Sequence, residues 1–325
     1  MPSRIAAVAS YVPPRVITND ELSTFVDTTD EWIYSHTGIR KRHIAGDDVS
    51  ASDLGVEAAN RVLAKTGLPA DAIDLIVLAT STPDYPGLPS TAAIVQDRIG
   101  ATRAGAMDIV AACTGFSYSL TTAKAFVDSG AAETVLVIGA EVYSKIVNWS
   151  DRSSCVLFGD GAAATLVTAS DEPGIVDGVL HSQGNGADRL LRPAGGTREA
   201  YEPGITPIER TKLHMDGRRV YHFAIQAIID VVAELLDRNG LSIDQIDHIV
   251  PHQANARIIE AACKRGDLPI DKFFVNIAEY ANTSAASIPI ALAEMEERGI
   301  LSHGQRVITV GFGAGLTYGG NLLVW

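Results

Sequence analysis

Apolar runs separated by turn residues divide the chain into alternating predicted helices and strands, and one such unit occurs twice. Leu63–Val77 reads LAKTGLPADAIDLIV and Leu236–Val250 reads LDRNGLSIDQIDHIV, with 8 of 15 positions identical at an offset of 173 residues. Each copy predicts the end of a helix, a glycine that caps it, a turn containing Asp, and a buried strand. The repetition therefore predicts two α/β units of the same design.

Further segments repeat in the same order. ETVLVIG at Glu133–Gly139 matches QRVITVG at Gln305–Gly311, and the segment around Cys113 matches the segment around Asn282 at an offset of 169. Short runs rich in Val and Ile are typical of strands that are buried on both faces. The pattern predicts an α/β fold of duplicated halves, with two mixed sheets and helices packed between and outside them.

Two irregular stretches punctuate this pattern. SDEPG at Ser170–Gly174 marks the boundary, which gives an amino-terminal half of residues 1–170 and a carboxy-terminal half of residues 171–325. Gly184–Gly217 is rich in Gly and Pro and has little periodicity, which is typical of a long surface excursion. Composition alone leaves open whether this stretch covers a site or is an inert loop.

Composition and charge exclude several classes of function. The chain has 325 residues, 46% of them hydrophobic and 20% charged, which is typical of a soluble globular protein. A net charge of −13 argues against nucleic-acid binding. No apolar stretch has the length of a membrane span, and Met1–Ser10 lacks the pattern of a signal peptide, so we expect a cytoplasmic location and no membrane association.

The cysteines and histidines show no metal-binding pattern. Three cysteines are too few and too scattered for a disulfide framework, no Cys-x-x-Cys pair occurs, and the eight histidines lack the spacing of metal ligands. We expect no metal site. Cys155, in an apolar run, and Cys263, within a predicted helix, are interpreted as structural.

Cys113 is the candidate nucleophile. It lies in MDIVAACTGFSYSL, where the preceding residues suit a strand and the following ones suit a helix that ends near Gly130. A cysteine beside a helix N-terminus is expected to have a lowered pKa, and its thiolate would attack a thioester carbonyl. A buried structural cysteine is the alternative.

A histidine and an asparagine occupy comparable positions. His252 follows the predicted strand in IVPHQANARII, with a helix expected to begin near Ala254 or Asn255, and an imidazole there could hold a developing oxyanion. Asn282 is predicted to enter a helix at the position equivalent to Cys113, so the duplication would bring both to one cavity. The alternatives are a surface histidine and a simple N-cap asparagine.

The glycine-dense segment GFGAGLTYGG at Gly311–Gly320 lacks the ending of a phosphate-binding loop. Its glycines would let the backbone approach a substrate closely, and one backbone N–H from this turn, with that of Cys113, could form an oxyanion hole. A tight turn before the last strand is the alternative.

Across nearly its whole length the chain resembles the β-ketoacyl-acyl-carrier-protein synthase III family. Besides the Cys113 segment, the resemblance is carried by five further segments in order: DTTDEWIYSHTGIRKRHIA at Asp27–Ala45, FGDGAAA at Phe158–Ala164, VPHQANARII at Val250–Ile259, NTSAAS at Asn282–Ser287 and GFGAGLTYG at Gly311–Gly319. The resemblance implies a thiolase-like fold, in which the duplicated halves form a layered α-β-α-β-α sandwich.

The same resemblance implies a reaction without a cofactor. Cys113 would take the acyl group of an acyl-CoA, usually acetyl-CoA, and His252 and Asn282 would bind the thioester of malonyl-acyl carrier protein as it loses CO2. The backbone N–H groups of Cys113 and Ala314 would hold the oxyanion. Members of the family start type II fatty-acid synthesis, and a homodimer is expected.

Substrate-binding residues also carry over by position. Trp32 would stack on the adenine of CoA with Arg152 on the opposite side, and Gly217 and Asn255 would line the pantetheine channel. For the acidic carrier protein, a docking patch is expected on one predicted helix, where Arg257 and Lys264 share a face with Arg265 adjacent, together with Arg218 and Arg219.

Three positions depart from the family pattern. His36 stands where members often have an Arg near the CoA phosphates, so that contact would be weaker or dependent on pH. Leu88 replaces a Phe found in some members beside the acyl pocket, across the dimer interface, which would admit longer or branched starters. Ala281 replaces a Gly that commonly precedes the Asn, a change expected to be minor.

Other functions remain open at this stage. One is a related condensing enzyme of secondary metabolism with a different starter or acceptor. A second is a Cys-His-Asn hydrolase, which would release a free acid because water is its acceptor. A third is a non-catalytic protein of the same fold that binds acyl carriers, against which Cys113, His252 and Asn282 argue.

Overall fold

The computed structural model describes residues 1–325, and its elements alternate as the hydrophobic pattern predicts. The strands are β1 (Ser3–Tyr11), β2 (Val16–Thr18), β3 (Lys41–His43), β4 (Leu75–Ala79), β5 (Gly105–Ile109), β6 (Thr134–Glu141), β7 (Gly161–Ala169), β8 (Ile175–Ser182), β9 (Leu190–Leu191), β10 (His214–Met215), β11 (His248–Pro251), β12 (Arg306–Gly313) and β13 (Thr317–Val324). The helices are α1 (Asn19–Leu22), α2 (Asp30–Thr37), α3 (Ala51–Thr66), α4 (Thr91–Arg98), α5 (Gly115–Asp128), α6 (Arg152–Cys155), α7 (Gly217–Asn239), α8 (Ala256–Gly266), α9 (Ile277–Tyr280) and α10 (Ser287–Glu297).

Two mixed sheets share one strand order. The first runs β1-β7-β6-β4-β5, with β4 parallel to β5 and β6, and with β7 antiparallel to β6 and β1. The second runs β8-β13-β12-β11 with the corresponding directions. In place of a fifth strand it has a single parallel bridge between Ile249 and Phe273. The predicted duplication is confirmed, except at this edge.

The helices complete a five-layer sandwich. Helices α5 and α10 lie between the sheets, and each contacts strands of both. Helices α3 and α4 cover the outer face of the first sheet, while α7 and α8 cover the outer face of the second. None of the helices combines the length and apolar character that crossing a membrane would require.

The repeated sequence has the same structural role in both halves. Gly67 ends α3 and Gly240 ends α7 in the left-handed conformation, with φ of 68° and 62°, as predicted. Downstream, the Asp74 carboxylate accepts the Thr134 N–H at 3.0 Å and the Asp247 carboxylate accepts the Arg306 N–H at 2.7 Å. Each Asp therefore joins the strand that follows it, β4 or β11, to the neighbouring strand, β6 or β12.

Candidate active site

A cavity of about 230 Å³ opens where the carboxyl ends of the strands meet, and it brings the three predicted residues together. Cys113, His252 and Asn282 all line it. The remaining wall near them is mostly apolar and includes Tyr143, Phe158, Leu190, Met215, Phe312 and Gly313. Leu190 and Met215 belong to Gly184–Gly217, so this surface excursion forms part of the cavity wall.

Cys113 lies in the strand-to-helix turn that the sequence predicts. It is part of a 3₁₀ turn, Ala112–Thr114, which runs directly into α5. The helical positions Phe116, Leu120, Ala123 and Val127 are all buried. A Cβ atom on Gly313 would lie 2.9 Å from the Cys113 nitrogen, so only glycine lets β12 approach the nucleophile this closely.

The expected lowering of the Cys113 pKa is wrong for the free protein. Cys113 is only 5% exposed, and burial raises the pKa of its thiol to about 12, although hydrogen bonding from the Ser284 hydroxyl acts in the opposite direction. Loss of hydration penalises the thiolate more than that hydrogen bond favours it. Cys113 is therefore a neutral thiol before substrate binds, and acyl transfer must remove its proton.

His252 follows β11, where its N–H donates to the Val310 carbonyl at 2.7 Å, and its side chain makes one short polar contact. Its Nδ1 lies 2.6 Å from the Ser287 Oγ, which also accepts the Gln253 N–H at 3.4 Å. Burial lowers the pKa of His252 to about 3, so the imidazole is neutral at physiological pH. With Ser287 Oγ as the donor and Nδ1 as the acceptor of this contact, the single proton of the neutral ring is on Nε2. Nε2 is then a hydrogen-bond donor.

Asn282 is positioned by its backbone and by its own oxygen. Its N–H donates to the Leu157 carbonyl at 2.9 Å, and its Oδ1 accepts the Ser284 N–H at 2.8 Å. The N-cap of the turn at Ser284–Ala286 is Thr283, so the simple alternative of an N-cap asparagine is not confirmed. The contact with the Ser284 N–H occupies only the oxygen of Asn282, and its Nδ2 group remains available to a ligand in the cavity.

Ala281 is not the minor change that the sequence suggested. Its φ of 56° and ψ of −157° fall in a region that residues with a Cβ rarely adopt. The residue is fully buried, and it directly precedes Asn282. The loop that presents Asn282 therefore carries backbone strain.

Two backbone N–H groups beside the cavity donate to no backbone or side-chain oxygen of the chain. They belong to Cys113 and to Ala314, the residue after Gly313 in the turn between β12 and β13. Buried N–H groups are almost always paired, so free ones at a cavity are ready to bind a ligand oxygen. Phe312 packs edge-on against the His252 ring, with centroids 5.1 Å apart, and closes the opposite side.

The outer part of the cavity holds the residues assigned to CoA. Trp32, His36, Gly217 and Asn255 line it. The Trp32 ring stacks on His36 at 4.5 Å, and the Arg152 guanidinium lies 4.9 Å from the same ring. An aromatic ring inserted between Trp32 and Arg152 would need about 7 Å, since each contact takes about 3.5 Å. Arg152 must therefore move if a base is to enter there.

The remaining predicted residues lie on the surface. Arg257, Lys264 and Arg265 are exposed on α8 and form no ion pair, although Arg257 donates to the Ser35 carbonyl at 2.8 Å. Arg218 and Arg219 begin α7, and Arg219 pairs with Asp216. Leu88 is 88% exposed and does not line the cavity of its own chain.

Sequence reasoning missed the polar residues behind the nucleophile. Glu141 ends β6, Tyr143 begins the 3₁₀ turn just after it, and Ser284 and Ser287 lie on the two sides of the turn into α10. The rule that ligands bind beyond the carboxyl ends of strands could have indicated Glu141 and Tyr143. The two serines are within the NTSAAS segment, but no spacing rule assigns them a contact. No group of three or more His, Cys, Asp or Glu side chains is arranged to hold a metal ion.

Comparison with known proteins agrees with this geometry. Residues 107–184 match the family described as 3-Oxoacyl-[acyl-carrier-protein (ACP)] synthase III, and residues 236–325 match its C-terminal part. A β-ketoacyl-[acyl-carrier-protein] synthase III of Clostridium acetobutylicum is 46% identical over 323 residues, which cover 99% of this chain and 98% of the relative.

Solved structures extend the comparison to the fold. The 3-oxoacyl-(acyl carrier protein) synthase III of Pseudomonas aeruginosa PAO1 is 40% identical with a TM-score of 0.92, covering 100% of this chain and 98% of that one. A priming β-ketosynthase from the R1128 polyketide biosynthetic pathway is 35% identical with a TM-score of 0.91, covering 99% and 96%. The resemblance seen in the sequence is thereby confirmed, and the chain belongs to the β-ketoacyl-acyl-carrier-protein synthase III family of condensing acyltransferases, with their thiolase-like fold.

Proposed function

We propose that this enzyme starts fatty-acid synthesis by two half-reactions at Cys113. An acyl-CoA, most simply acetyl-CoA, first acylates the thiol and releases CoA. The acyl group then condenses with malonyl-acyl carrier protein, with loss of CO2, to give a 3-oxoacyl-acyl carrier protein. The observation that carries this proposal is the convergence of Cys113, His252 and Asn282 on one cavity.

In the acylation step the Cys113 sulfur forms a bond to the acyl carbon while the bond from that carbon to the CoA sulfur breaks. Negative charge collects on the carbonyl oxygen during this exchange. The free N–H groups of Cys113 and Ala314 would stabilise that charge, because donors fixed in advance need no reorganisation during the reaction.

In the condensation step His252 and Asn282 would both donate to the malonyl thioester oxygen. The neutral His252 offers its Nε2 proton and Asn282 offers its Nδ2 protons. Two donors on the developing enolate oxygen make loss of CO2 easier, and the resulting carbanion attacks the acyl carbon on Cys113. We propose that no cofactor takes part, since CoA enters as the thioester substrate.

The mouth of the cavity suits CoA. Trp32 would stack on the adenine once Arg152 has moved to its other side, and Gly217 and Asn255 would border the pantetheine arm. His36, already stacked on Trp32, occupies the place of a permanently charged Arg, so contact with the phosphates would weaken as this histidine loses its proton.

Carrier-protein docking is proposed for the basic surface beside this mouth. Helices α7 and α8 pack together, and the Tyr221 hydroxyl on α7 donates to the Arg257 carbonyl on α8 at 3.4 Å. The positive side chains of Arg218 and Arg257 therefore begin adjacent helices, with Lys264 and Arg265 further along α8. On a chain with a net charge of −13, such unpaired cations would steer an acidic partner to the opening.

We propose a cytoplasmic location and a homodimer, and the dimer is proposed from the free edge of the first sheet. Strand β5 has no neighbour on its outer side, and Tyr85, Leu88 and Val110 expose 53%, 88% and 80% of their surface. Open edges and apolar patches are commonly covered by a partner. Leu88 would then border the acyl pocket of the partner subunit, and its size would admit starters larger than acetyl. Two halves, residues 1–170 and 171–325, would form each subunit.

A second candidate has the same chemistry with another starter, in a polyketide pathway. The priming β-ketosynthase of the R1128 pathway favours it, because that protein is 35% identical over nearly the full chain. Turnover of acetyl-, isobutyryl- and longer acyl-CoAs would separate the two candidates. Strict preference for acetyl-CoA would contradict the role proposed for Leu88.

Intact-protein mass spectrometry tests the proposed function. Incubation with acetyl-CoA should add one acetyl group to Cys113, and malonyl-acyl carrier protein should discharge it as a 3-oxoacyl product. Cys113→Ser should lose the adduct, whereas His252→Ala and Asn282→Ala should spare acylation more than condensation. Release of free acetate as the main product would instead indicate a hydrolase.

A further inference from the structure

A buried cation takes no part in the two half-reactions described above. Arg42, in the centre of β3, has 0% of its surface exposed. Its guanidinium has three hydrogen-bond acceptors, and all are neutral: the Ile17 and Val156 carbonyls at 3.4 and 3.0 Å and the Asn19 Oδ1 at 2.8 Å. Its Nε has no partner. Burial of a cation without a counter-ion is costly, so an apolar residue would serve packing alone better.

One of these hydrogen bonds caps helix α6. Val156 is the C-cap residue of α6, and the Arg42 Nη2 donates to its carbonyl. Helix α6 has only four residues, too few to be stable by itself, so contacts from outside must hold it. An arginine at the end of a helix satisfies a carbonyl that the helix itself leaves free. Arg42 therefore fixes the carboxyl end of α6, the helix that begins with Arg152.

A second hydrogen bond connects Arg42 to helix α2 through the buried amide of Asn19. The Asn19 Oδ1 accepts from Arg42, and its Nδ2 donates to the Asp30 carboxylate at 2.8 Å. The same Nδ2 donates to the Ile39 carbonyl at 2.7 Å. Asp30 begins α2 and Ile39 lies just beyond its end, so Asn19 holds this helix at both ends. Helix α2 carries Trp32.

The two helices joined in this way form opposite walls of the cavity mouth, with Trp32 on α2 and Arg152 on α6 at 4.9 Å from each other. Arg152 also donates to the Asp27 carbonyl at 2.9 Å, but this side chain has to move when a base enters. The helices share an apolar cluster as well. Apolar contact has no preferred direction, whereas hydrogen bonds have defined partners and distances. The separation of the two walls therefore depends on the network of Arg42.

The condensation site depends less on Arg42. The segment that follows Val156 pairs with the backbone of Asn282 through two hydrogen bonds. The Asn282 N–H donates to the Leu157 carbonyl at 2.9 Å, and the Gly159 N–H donates to the Asn282 carbonyl at 3.0 Å. Both bonds join main chain to main chain and involve no guanidinium. Loss of Arg42 is therefore expected to affect the mouth of the cavity more than its inner end.

We propose that Arg42 is a positioning residue that sets the width of the adenine site between Trp32 and Arg152. Its guanidinium does not line the cavity, and it acts through Val156 on α6 and through Asn19 on α2. Burial lowers the pKa of Arg42 to about 10, so the side chain stays charged at neutral pH and keeps all of its donors. This role deepens the proposed function, on which it rests, because it concerns how acyl-CoA is held.

Acylation of the full-length chain by two thioesters of different length tests this role. Acetyl-CoA carries the adenine, whereas S-acetyl-N-acetylcysteamine ends well before it and uses only the inner cavity. Arg42→Met should raise the acetyl-CoA concentration that gives half-maximal acylation about tenfold, the usual contribution of stacking and cation contacts to a ring. The maximal rate should stay within about twofold, and the rate with the short thioester should not change. Arg42→Lys, whose single amine cannot reach both partners, should give a smaller increase.

Asn321→Ala is the matched control, because Asn321 is also a fully buried polar link between elements, but away from the mouth. It contacts the hydroxyls of Thr309 on β12 and Thr121 on α5 at 3.2 and 2.8 Å. This variant should unfold at a lower temperature and keep the preference for acetyl-CoA over the short thioester. Equal loss of rate with both thioesters in Arg42→Met would overturn the inference, since a general loss of folded enzyme has that effect.

Asn19→Asp decides the question if Arg42→Met does not fold. The change gives the guanidinium a charged acceptor but removes the amide protons that hold Asp30 and Ile39. It should therefore weaken the use of acetyl-CoA, and not of the short thioester, while Arg42 stays paired. Unchanged use of acetyl-CoA by this variant would overturn the inference. If neither thioester acylates the unmodified protein, the proposed function fails together with this role of Arg42.

Discussion

His252 and Cys113 are both buried, and burial removes the charge from each. It lowers the pKa of the imidazole to about 3 and raises that of the thiol to about 12, so both groups are neutral near pH 7. Cysteine hydrolases of the papain type depend on a thiolate beside an imidazolium. The neutral pair favours a condensing enzyme, in which the histidine donates a hydrogen bond.

Ser287 is expected to set the state of His252 that condensation requires. Ser287→Ala removes the hydroxyl that contacts Nδ1 and that, as a donor, would hold the ring proton on Nε2. Condensation should fall by about 10- to 100-fold while acetylation of Cys113 is nearly unchanged. Single-turnover rates for each half-reaction and the nitrogen NMR shifts of His252 would measure this. Equal loss of both steps, with an unchanged ring tautomer, would contradict it.

Ala281 predicts an unusual response to glycine. Replacing a buried alanine normally destabilises a protein by about 1 to 2 kcal/mol, as we expect for Ala123→Gly within α5. At Ala281 the positive φ costs about 1 to 3 kcal/mol, and Ala281→Gly releases it. The net change should be close to zero or stabilising. Thermal unfolding of both variants would test this, and equal destabilisation would show that Ala281 is unstrained.

At the scale of elements, the two halves use equivalent helices for different tasks. Helices α5 and α10 begin at the two central turns and carry Cys113 and Asn282 toward one cavity. On the outer layer, α8 begins beside the mouth, with Asn255 as its N-cap, and exposes unpaired cations along its length. Helix α8 and its neighbour α7 thus lie beside the substrate entrance and also form the surface proposed to bind the carrier protein.

Reversing a charge on α8 should weaken carrier-protein binding and leave CoA use intact. Lys264→Glu is expected to raise KM for malonyl-acyl carrier protein about tenfold, with a smaller salt dependence, and to leave KM for acetyl-CoA unchanged. Arg306→Glu makes the same charge change at the amino end of β12, away from the cavity, and should have little effect. Similar KM increases in both variants would point to net charge rather than a docking patch.

At the scale of the molecule, the first sheet ends in an open edge beside exposed apolar side chains. Val110 directly follows β5 and is 80% exposed. If the proposed dimer forms, Val110→Glu should convert it into monomers and lower turnover at least about tenfold, since that proposal places Leu88 at the partner's acyl pocket. Analytical ultracentrifugation would report the mass. Ile205→Glu, at a 74% exposed position elsewhere, is the control and should remain dimeric.

The sequence predicts local structure and the identity of the site better than its electrostatics. The helix caps at Gly67 and Gly240 were predictable because a cap depends on neighbouring residues in the sequence. The turn at Cys113 was predictable for the same reason. Burial of the thiol was not predictable, because it depends on packing against Gly313, far along the chain. The contact between Arg152 and Trp32 and the strain at Ala281 likewise follow from packing that no spacing rule describes.

The missing fifth strand of the second sheet limits how far these molecules can assemble. If the two halves were fully equivalent, each sheet would end in an exposed strand with unpaired backbone groups. Copies of the chain could then pair edge to edge at both ends, without limit. Here the edge beside β11 is reduced to the single bridge at Phe273, whereas the corresponding edge of the first sheet has a complete strand, β5, available for pairing. When each copy pairs through a single self-complementary edge, the assembly is complete at two copies. The loss of the fifth strand from only one of the two sheets would thus protect the protein against fibre formation.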